Sequence, residues 1–322
     1  MGRLLLVLLL TAISATAQGI APDARLETLF EDAVFTEGPA AAPDGSIYFS
    51  DITASARSNA AGHILRYDPA TGRTTVYRSP SGMANGIAFD SQGRMVVAEG
   101  ADFGGRRVTR TDMATGRSEV VARTFNGRAF NSPNDVAVDA SGRIWFSDPR
   151  YVGGEPIEQP VQGVYRIDAD GSIHLAVADA GKPNGVAVSP DQKTLYVAAT
   201  DNGATGPLPA GMSPAAGRMA ILAYDIAADG SASFREVVVD LAGRGFADGL
   251  TVDAAGNIWC GCGPLGVRAF TPEGREIAAV AIPASATNVE FGRGDDAGSL
   301  YVTAGGALYR VRTNARGFHP GV

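Results

Sequence analysis

Six short, similar segments recur along the chain, and each carries an oxygen-bearing side chain at the same place. They are Glu37 in Thr36-Glu37-Gly38-Pro39, Asn85 in Ala84-Asn85-Gly86-Ile87, Asn134 in Pro133-Asn134-Asp135-Val136, Asn184 in Pro183-Asn184-Gly185-Val186, Asp248 in Ala247-Asp248-Gly249-Leu250 and Asn288 in Thr287-Asn288-Val289-Glu290. Two carboxylates with amide oxygens form a hard-oxygen shell, which suits Ca²⁺, Mg²⁺ or Mn²⁺ rather than metals that favour thiolate or imidazole. Asn, Asp and Gly are also ordinary turn residues, and one Asn85-Gly86 alone says no more than that. Glu has no special turn chemistry. Glu37, and the recurrence at six equivalent positions, therefore point to a divalent ion.

The elements that would position these groups follow from the same repeats. After the polar tip come an apolar strand, a turn and a second strand, as in Asp139 to Phe146 and Asp253 to Cys260. Asp90-Ser91-Gln92-Gly93, Asp139-Ala140-Ser141-Gly142 and Asp253-Ala254-Ala255-Gly256 fit type I hairpin turns. Asp168-Ala169-Asp170-Gly171 has the start of a calcium loop but lacks the later ligands and is read as structural. A third alternating segment, such as Gly163-Val164-Tyr165-Arg166-Ile167, and a fourth complete each unit. Four short strands at a period of roughly 40 to 60 residues describe the blade of a propeller.

The expected architecture is an all-β, six-bladed β-propeller with four antiparallel strands per blade, in a single domain spanning 18–322. The last copy runs out of chain after its third strand, so residues 25–34 are expected to supply the missing outer strand and close the ring. Innermost strands surround a central channel, so the six tips converge on one axis. The long, unequal connections between second and third strands, 52–62, 100–106, 149–162 and 200–218, open on the same face, where binding is usually built.

Residues 1–17 have the layout of a secretory signal: Arg3, an apolar run from Leu4 to Ile13 and the small-residue site Ala15-Thr16-Ala17. The run is shorter than the roughly 20 residues of a membrane-spanning helix. An exported product, periplasmic or secreted, is expected, with no membrane attachment once the signal is removed. The net charge of −7 and the lack of basic blocks argue against nucleic acid as a partner. Monomer and small homo-oligomer stay equally open. Cys260 and Cys262 are separated by one residue, where a bridge would be strained, so packed thiols are the favoured reading and a bridge stays open. With three histidines, His63, His174 and His319, none in a catalytic context, a Ser-His-Asp triad or His-rich zinc site has no support.

Phe35-Thr36-Glu37-Gly38-Pro39, Asn131-Ser132-Pro133-Asn134-Asp135-Val136, Pro183-Asn184-Gly185-Val186-Ala187-Val188-Ser189 and Ala247-Asp248-Gly249-Leu250-Thr251-Val252-Asp253 together resemble the signature segments of the senescence-marker-protein / gluconolactonase / luciferin-regenerating-enzyme family. The resemblance covers essentially all of the chain after the signal. It implies a six-bladed propeller that hydrolyses lactones with a divalent ion in the channel. Its ligands would be Glu37, Asn184 and Asp248, with Asn134 contacting metal or substrate. Vertebrate members carry an Arg two residues before that Asn, which binds the sugar-like substrate; this chain has Ser132, like bacterial lactonases of the family.

On this reading a small-molecule lactone is opened by metal-activated water, with Asp248, or else Glu37, taking the proton. The cofactor is one divalent cation, Ca²⁺ ahead of Mg²⁺, Mn²⁺ or Zn²⁺. Asn134, Ser132, Asn85, Glu99 and Arg107 are the candidate substrate contacts, with Arg106 and Asp148 near the same mouth. An esterase or phosphotriesterase on the same scaffold and a non-catalytic ligand-binding propeller are the alternative readings.

Overall fold

The structure is a computed structural model that describes residues 19–52, 62–203 and 217–320. The segment read as a signal, 1–17, and most of two long connections, 53–61 and 204–216, lie outside the described residues.

Six four-stranded antiparallel sheets are arranged in chain order. Blade 1 comprises Thr36–Ala41, Ile47–Asp51, His63–Asp68 and Arg73–Arg78. Blade 2 comprises Ala84–Phe89, Met95–Glu99, Arg107–Thr111 and Ser118–Ala122. Blade 3 runs through Val136–Val138, Ile144–Ser147, Val164–Ile167 and Ile173–Val177, and blade 4 through Pro183–Val188, Thr194–Thr200, Met219–Ile226 and Ala232–Asp240. Blade 5 has Leu250–Val252, Ile258–Gly261, Val267–Phe270 and Glu276–Val280. Blade 6 has Ala286–Phe291, Ser299–Ala304 and Ala307–Arg312 from the C-terminal end. Each first strand packs beside the first strand of the next blade, and the sixth packs beside the first, so the ring is closed.

The expected closure is present. Glu27–Phe30 pairs antiparallel with Ala307–Arg312 and completes blade 6. Thr28 stands opposite Tyr309, and Glu27 forms an ion pair with Arg310 at 2.6 Å. Phe30 meets the ring of Phe49 edge-on at 5.9 Å, so the closing strand also packs on blade 1.

The hairpin turns behave as their residues dictate. Gly93, Gly142 and Gly256 donate their N–H to the carbonyls of Asp90, Asp139 and Asp253 at 2.8 to 2.9 Å. The carboxylates of Asp139 and Asp253 also accept the indole N–H of the buried Trp145 and Trp259, tying turns to core. One element goes beyond the repeat: Thr124–Phe125 pairs with Arg128–Ala129 around Asn126-Gly127, both at positive φ, as a two-residue hairpin loop requires.

The cysteines correct the expectation of packed thiols. Cys260 and Cys262 are joined, with Cα atoms 5.8 Å apart, inside the range a disulfide spans. The strand ends at Gly261, so Cys262 already belongs to a turn and the two residues are not held in extended register.

Candidate functional site

Every polar tip sits at the entry of an innermost strand, and in four of the six blades the pairing there is irregular. The register slips between Glu37 and Ala40, Ala84 and Ile87, Pro183 and Val186, and Ala286 and Asn288. These bulges lift the tips off their own sheets toward the axis. The tips are also stitched to one another: Gly86 donates to the Asn134 carbonyl at 2.7 Å, and Gly185 to the Asp248 carbonyl at 3.0 Å. A Cβ on Gly86 would lie 2.6 Å from Asp135 Oδ1 and 2.7 Å from Asp135 Cα. Gly86 is thus required by the approach of the neighbouring blade, not by a turn, since it is not among the residues with positive φ.

Five tips, Glu37, Asn85, Asn134, Asn184 and Asp248, line one cavity of about 570 Å³ at this end of the ring. The sixth, Asn288, lines instead a narrow channel of about 80 Å³ along the inner strands, whose lining also takes in Phe318, His319 and Pro320 of the tail. From there Asn288 hydrogen-bonds the carboxylates of Glu37 and Asp135.

The electrostatics of this floor are one-sided. Burial first, then the charges of Asp248 and Asp135, hold the Glu37 carboxyl well above its usual range, against the Gly38 N–H at 3.1 Å. Asp248 keeps part of its surface open to the cavity, yet burial and the Asp135 charge push it to about 7, opposed by a hydrogen bond from the Asn184 side chain. Asp135 is also pushed to about 7 by burial, although the Val186 N–H donates to it at 2.9 Å. Among the described residues none of the three forms an ion pair. Three carboxylates buried together without a counter-charge are costly. Two carboxylates and two or three amide oxygens are, conversely, a donor set that fits a hard divalent cation. No group of three or more His, Cys, Asp or Glu side chains able to hold a metal occurs among the described residues, so the amides are needed to complete such a shell.

The walls come from outside the tips: Val34, Phe35, Ile52, Met83, Tyr151, Val152, Thr200, Asn202, Met219 and Phe246. Tyr151 donates its hydroxyl to the Thr200 carbonyl at 3.1 Å and hydrogen-bonds Asn184. The ammonium of Lys182 lies 4.5 Å from the centre of the Tyr151 ring and donates to Asn202 Oδ1 at 2.6 Å. The loop carrying Tyr151 is braced from behind. Arg150, fully buried, donates to the carbonyls of Asn131, Gly153 and Glu155, and Gln159 ties the loop to the small hairpin through the carbonyls of Phe125, Arg128 and Ala129.

Several residues expected at the mouth stand elsewhere. The Ser132 hydroxyl is buried and accepts the Ala101 N–H at 2.9 Å. Glu99 is buried and pairs with Arg78 at 3.0 Å and Arg107 at 2.6 Å, so Glu99 and Arg107 neutralise each other at a separate surface recess. Arg106 donates to the carbonyls of Phe130 and Pro156. Asp148, pushed to about 7 by burial, accepts the N–H groups of Asn131 and Ser132 at 2.7 Å and holds the segment before Asn134 in place. None of these side chains lines the cavity. The physical reason is common to them: these polar and charged groups are consumed by partners within their own blade and in the neighbouring one before they can reach the axis. His63 and His174 bond to Ser79 and Ser172 on outer strands. His319, brought down to about 4 by burial, donates to the Gly292 carbonyl in the tail.

Tyr151 and the apolar wall were not visible as site residues in the sequence; the position of 149–162 as a long connection on the tip face was the one available signal.

Residues 35–306 match the family described as the SMP-30/Gluconolactonase/LRE-like region. A gluconolactonase of Zymomonas mobilis is 27% identical over 318 residues, spanning 91% of this chain and 82% of its own. A pentonolactonase of Haloferax volcanii is 29% identical over 281 residues, spanning 84% of this chain and 81% of its own. Among solved structures, a gluconolactonase of Xanthomonas campestris superposes with a TM-score of 0.76 at 30% identity, covering 91% of this chain and 90% of that one.

Proposed function

Because the chain belongs to the SMP-30/gluconolactonase/LRE-like family, we propose that it is a lactonase whose activity depends on a divalent cation held by Glu37, Asn134, Asn184 and Asp248. One observation carries the metal part of the proposal: the carboxylates of Glu37 and Asp248 are gathered beside amide oxygens with no positive side chain to offset them among the described residues. Ca²⁺ is the proposed ion, since it accepts mixed carboxylate and amide oxygens in flexible geometry. When bound, such a cation supplies Lewis-acid polarisation of the ester carbonyl and makes water a better nucleophile at neutral pH.

The chain's own groups do the rest. Asn85, whose side chain faces the cavity beside Asn134, is placed to orient the lactone oxygens by hydrogen bonding. Asp248 is the proposed base: Glu37 takes donors from both Gly38 and Asn288, whereas Asp248 takes one from Asn184 and is left with free lone pairs toward the cavity. Its carboxylate receives a proton from the attacking water as the new C–O bond forms, and returns it to the ring oxygen as the old C–O bond breaks. The net reaction adds one water across the ester. The walls around Tyr151 and Phe246 limit bulk water at that step.

The test is hydrolysis of five- and six-membered lactones by the full chain, after chelator dialysis and after adding back Ca²⁺, Mg²⁺, Mn²⁺ or Zn²⁺. Asp248→Asn and Glu37→Gln should each lower kcat/KM by roughly 10³ or more. Full activity in chelator, or a phosphotriester or simple aryl ester turned over faster than every lactone, would overturn the proposal. Export is proposed from the layout of 1–17 alone; N-terminal sequencing of protein from the cell envelope and medium would show cleavage after Ala17 if it is right.

A further inference from the structure

We infer that the lactone this cavity accepts carries an apolar body, an alkyl or aryl substituent, rather than the ring of hydroxyls of a sugar lactone. The inference rests on the lactonase reading and deepens it. Above the polar floor, the wall presents Phe35, Ile52, Met83, Val152, Met219 and Phe246. The polar groups that share the wall are already engaged. The Thr200 hydroxyl donates to the Ala247 carbonyl, Asn202 accepts from Lys182, and the Tyr151 hydroxyl is held by Thr200 and Asn184.

No Arg, Lys or His lines the cavity among the described residues. The charged groups that could have met a polyol, Glu99 and Arg107, are spent on each other at a different recess. Each substrate hydroxyl buried here without a partner would weaken binding by roughly tenfold. Conversely, the rim leaves Phe35 41% and Val152 47% exposed, apolar surface whose covering by a ligand is favourable. A volume of about 570 Å³ accommodates a lactone ring together with such a substituent.

The experiment compares γ-nonalactone and dihydrocoumarin with γ-butyrolactone and D-glucono-1,5-lactone on the Ca²⁺-loaded full chain, by kcat/KM and by saturation-transfer NMR binding. A buried methylene adds about fourfold, so the five-carbon chain of γ-nonalactone should raise kcat/KM over γ-butyrolactone by on the order of 100-fold or more. The glucono-lactone should fall below both. Phe35→Ser, at the rim, and Met219→Asn, in the wall, should each shrink the γ-nonalactone to γ-butyrolactone ratio at least tenfold. Glucono-lactone turned over as well as γ-nonalactone would overturn the inference and leave the lactonase reading standing. Saturable binding of γ-nonalactone, none of glucono-lactone, and no turnover of any lactone would uphold the apolar preference and overturn the lactonase reading. Neither binding nor turnover of any of the four lactones would overturn both.

Discussion

Asp248→Asn separates the metal proposal from a purely structural role for the buried acids. In the cation-free protein Asp248 is pushed from an ordinary value near 4 to about 7, chiefly by burial and then by the charge of Asp135. A carboxyl whose folded pKa lies above its unfolded pKa binds more protons folded than unfolded between the two values. Its stabilising contribution is complete below about pH 4 and is lost as pH rises through about 7. A shift of roughly three units corresponds to at most about 4 kcal/mol by pH 8. Asp135, Asp148 and Glu290, each also pushed to about 7 by burial, titrate with the same sign and steepen the wild-type decline.

The decisive quantity is therefore the difference between wild type and variant. Asn has the shape of the protonated acid, so the two proteins should match near pH 4 in chelator. The variant should be the more stable by up to about 4 kcal/mol at pH 8. Adding Ca²⁺ should cancel that lead at pH 8 and reverse the order at pH 6, where the lead is only about 3 kcal/mol, because an ion at 1,000 times its Kd stabilises wild type by about 4 kcal/mol and the variant has lost a ligand. Urea unfolding at pH 4, 5, 6, 7 and 8, with chelator and with Ca²⁺, reads all of this. Parallel pH profiles for the two proteins in chelator would refute the electrostatic argument, and an equal response to Ca²⁺ would refute the assignment of Asp248 as a ligand.

Two further perturbations test the scaffold. Gly86→Ala places a methyl 2.6 Å from Asp135 Oδ1 and 2.9 Å from the Asn134 carbonyl; it should cost about 1–3 kcal/mol in urea unfolding and weaken Ca²⁺ binding by calorimetry. Unchanged values would mean that the blade spacing is softer than the packing indicates. A chain beginning at Phe35 lacks Glu27–Phe30 and the contact of Phe30 with Phe49, and it bares the edge of Ala307–Arg312. Light scattering should then show self-association with a lower melting temperature, whereas a monomer of unchanged stability would contradict the closing role of that strand.

The ring was readable because its cause is repetitive: tip, strand, Asp-x-x-Gly turn and strand recur, and the repeat forces Asp139 and Asp253 into the same turn, each with its Trp. The convergence of Glu37, Asn85, Asn134, Asn184 and Asp248 was readable for the same reason. What pattern could not reveal was the direction of individual long side chains. Glu99 ends the second strand of blade 2, as expected, but Arg78, Arg107 and Thr109 surround its carboxylate from neighbouring strands, and no periodicity encodes that competition. Cys262 lies off the strand expected to carry it, because the strand stops at Gly261.

The same distinction bears on how specificity arises in this protein. The floor is made of repeat positions, each constrained by a glycine or a carbonyl of the next blade, as Gly86 by Asp135 and Gly185 by Asp248. A change there disturbs two blades at once. The wall is made of positions at which the blades differ: Phe35, Met83 and Phe246 each stand two residues before a tip, where the other blades carry Ser132, Lys182 and Ala286, and Tyr151 and Val152 lie in a loop held by Arg150. Phe35 and Val152 are partly in solvent and bear little of the core, so their replacement costs little folding energy. Substrate preference in this ring is therefore free to change at the wall while the floor chemistry stays fixed. For that reason Phe35→Ser should alter which lactone is preferred without the loss of stability expected from Gly86→Ala.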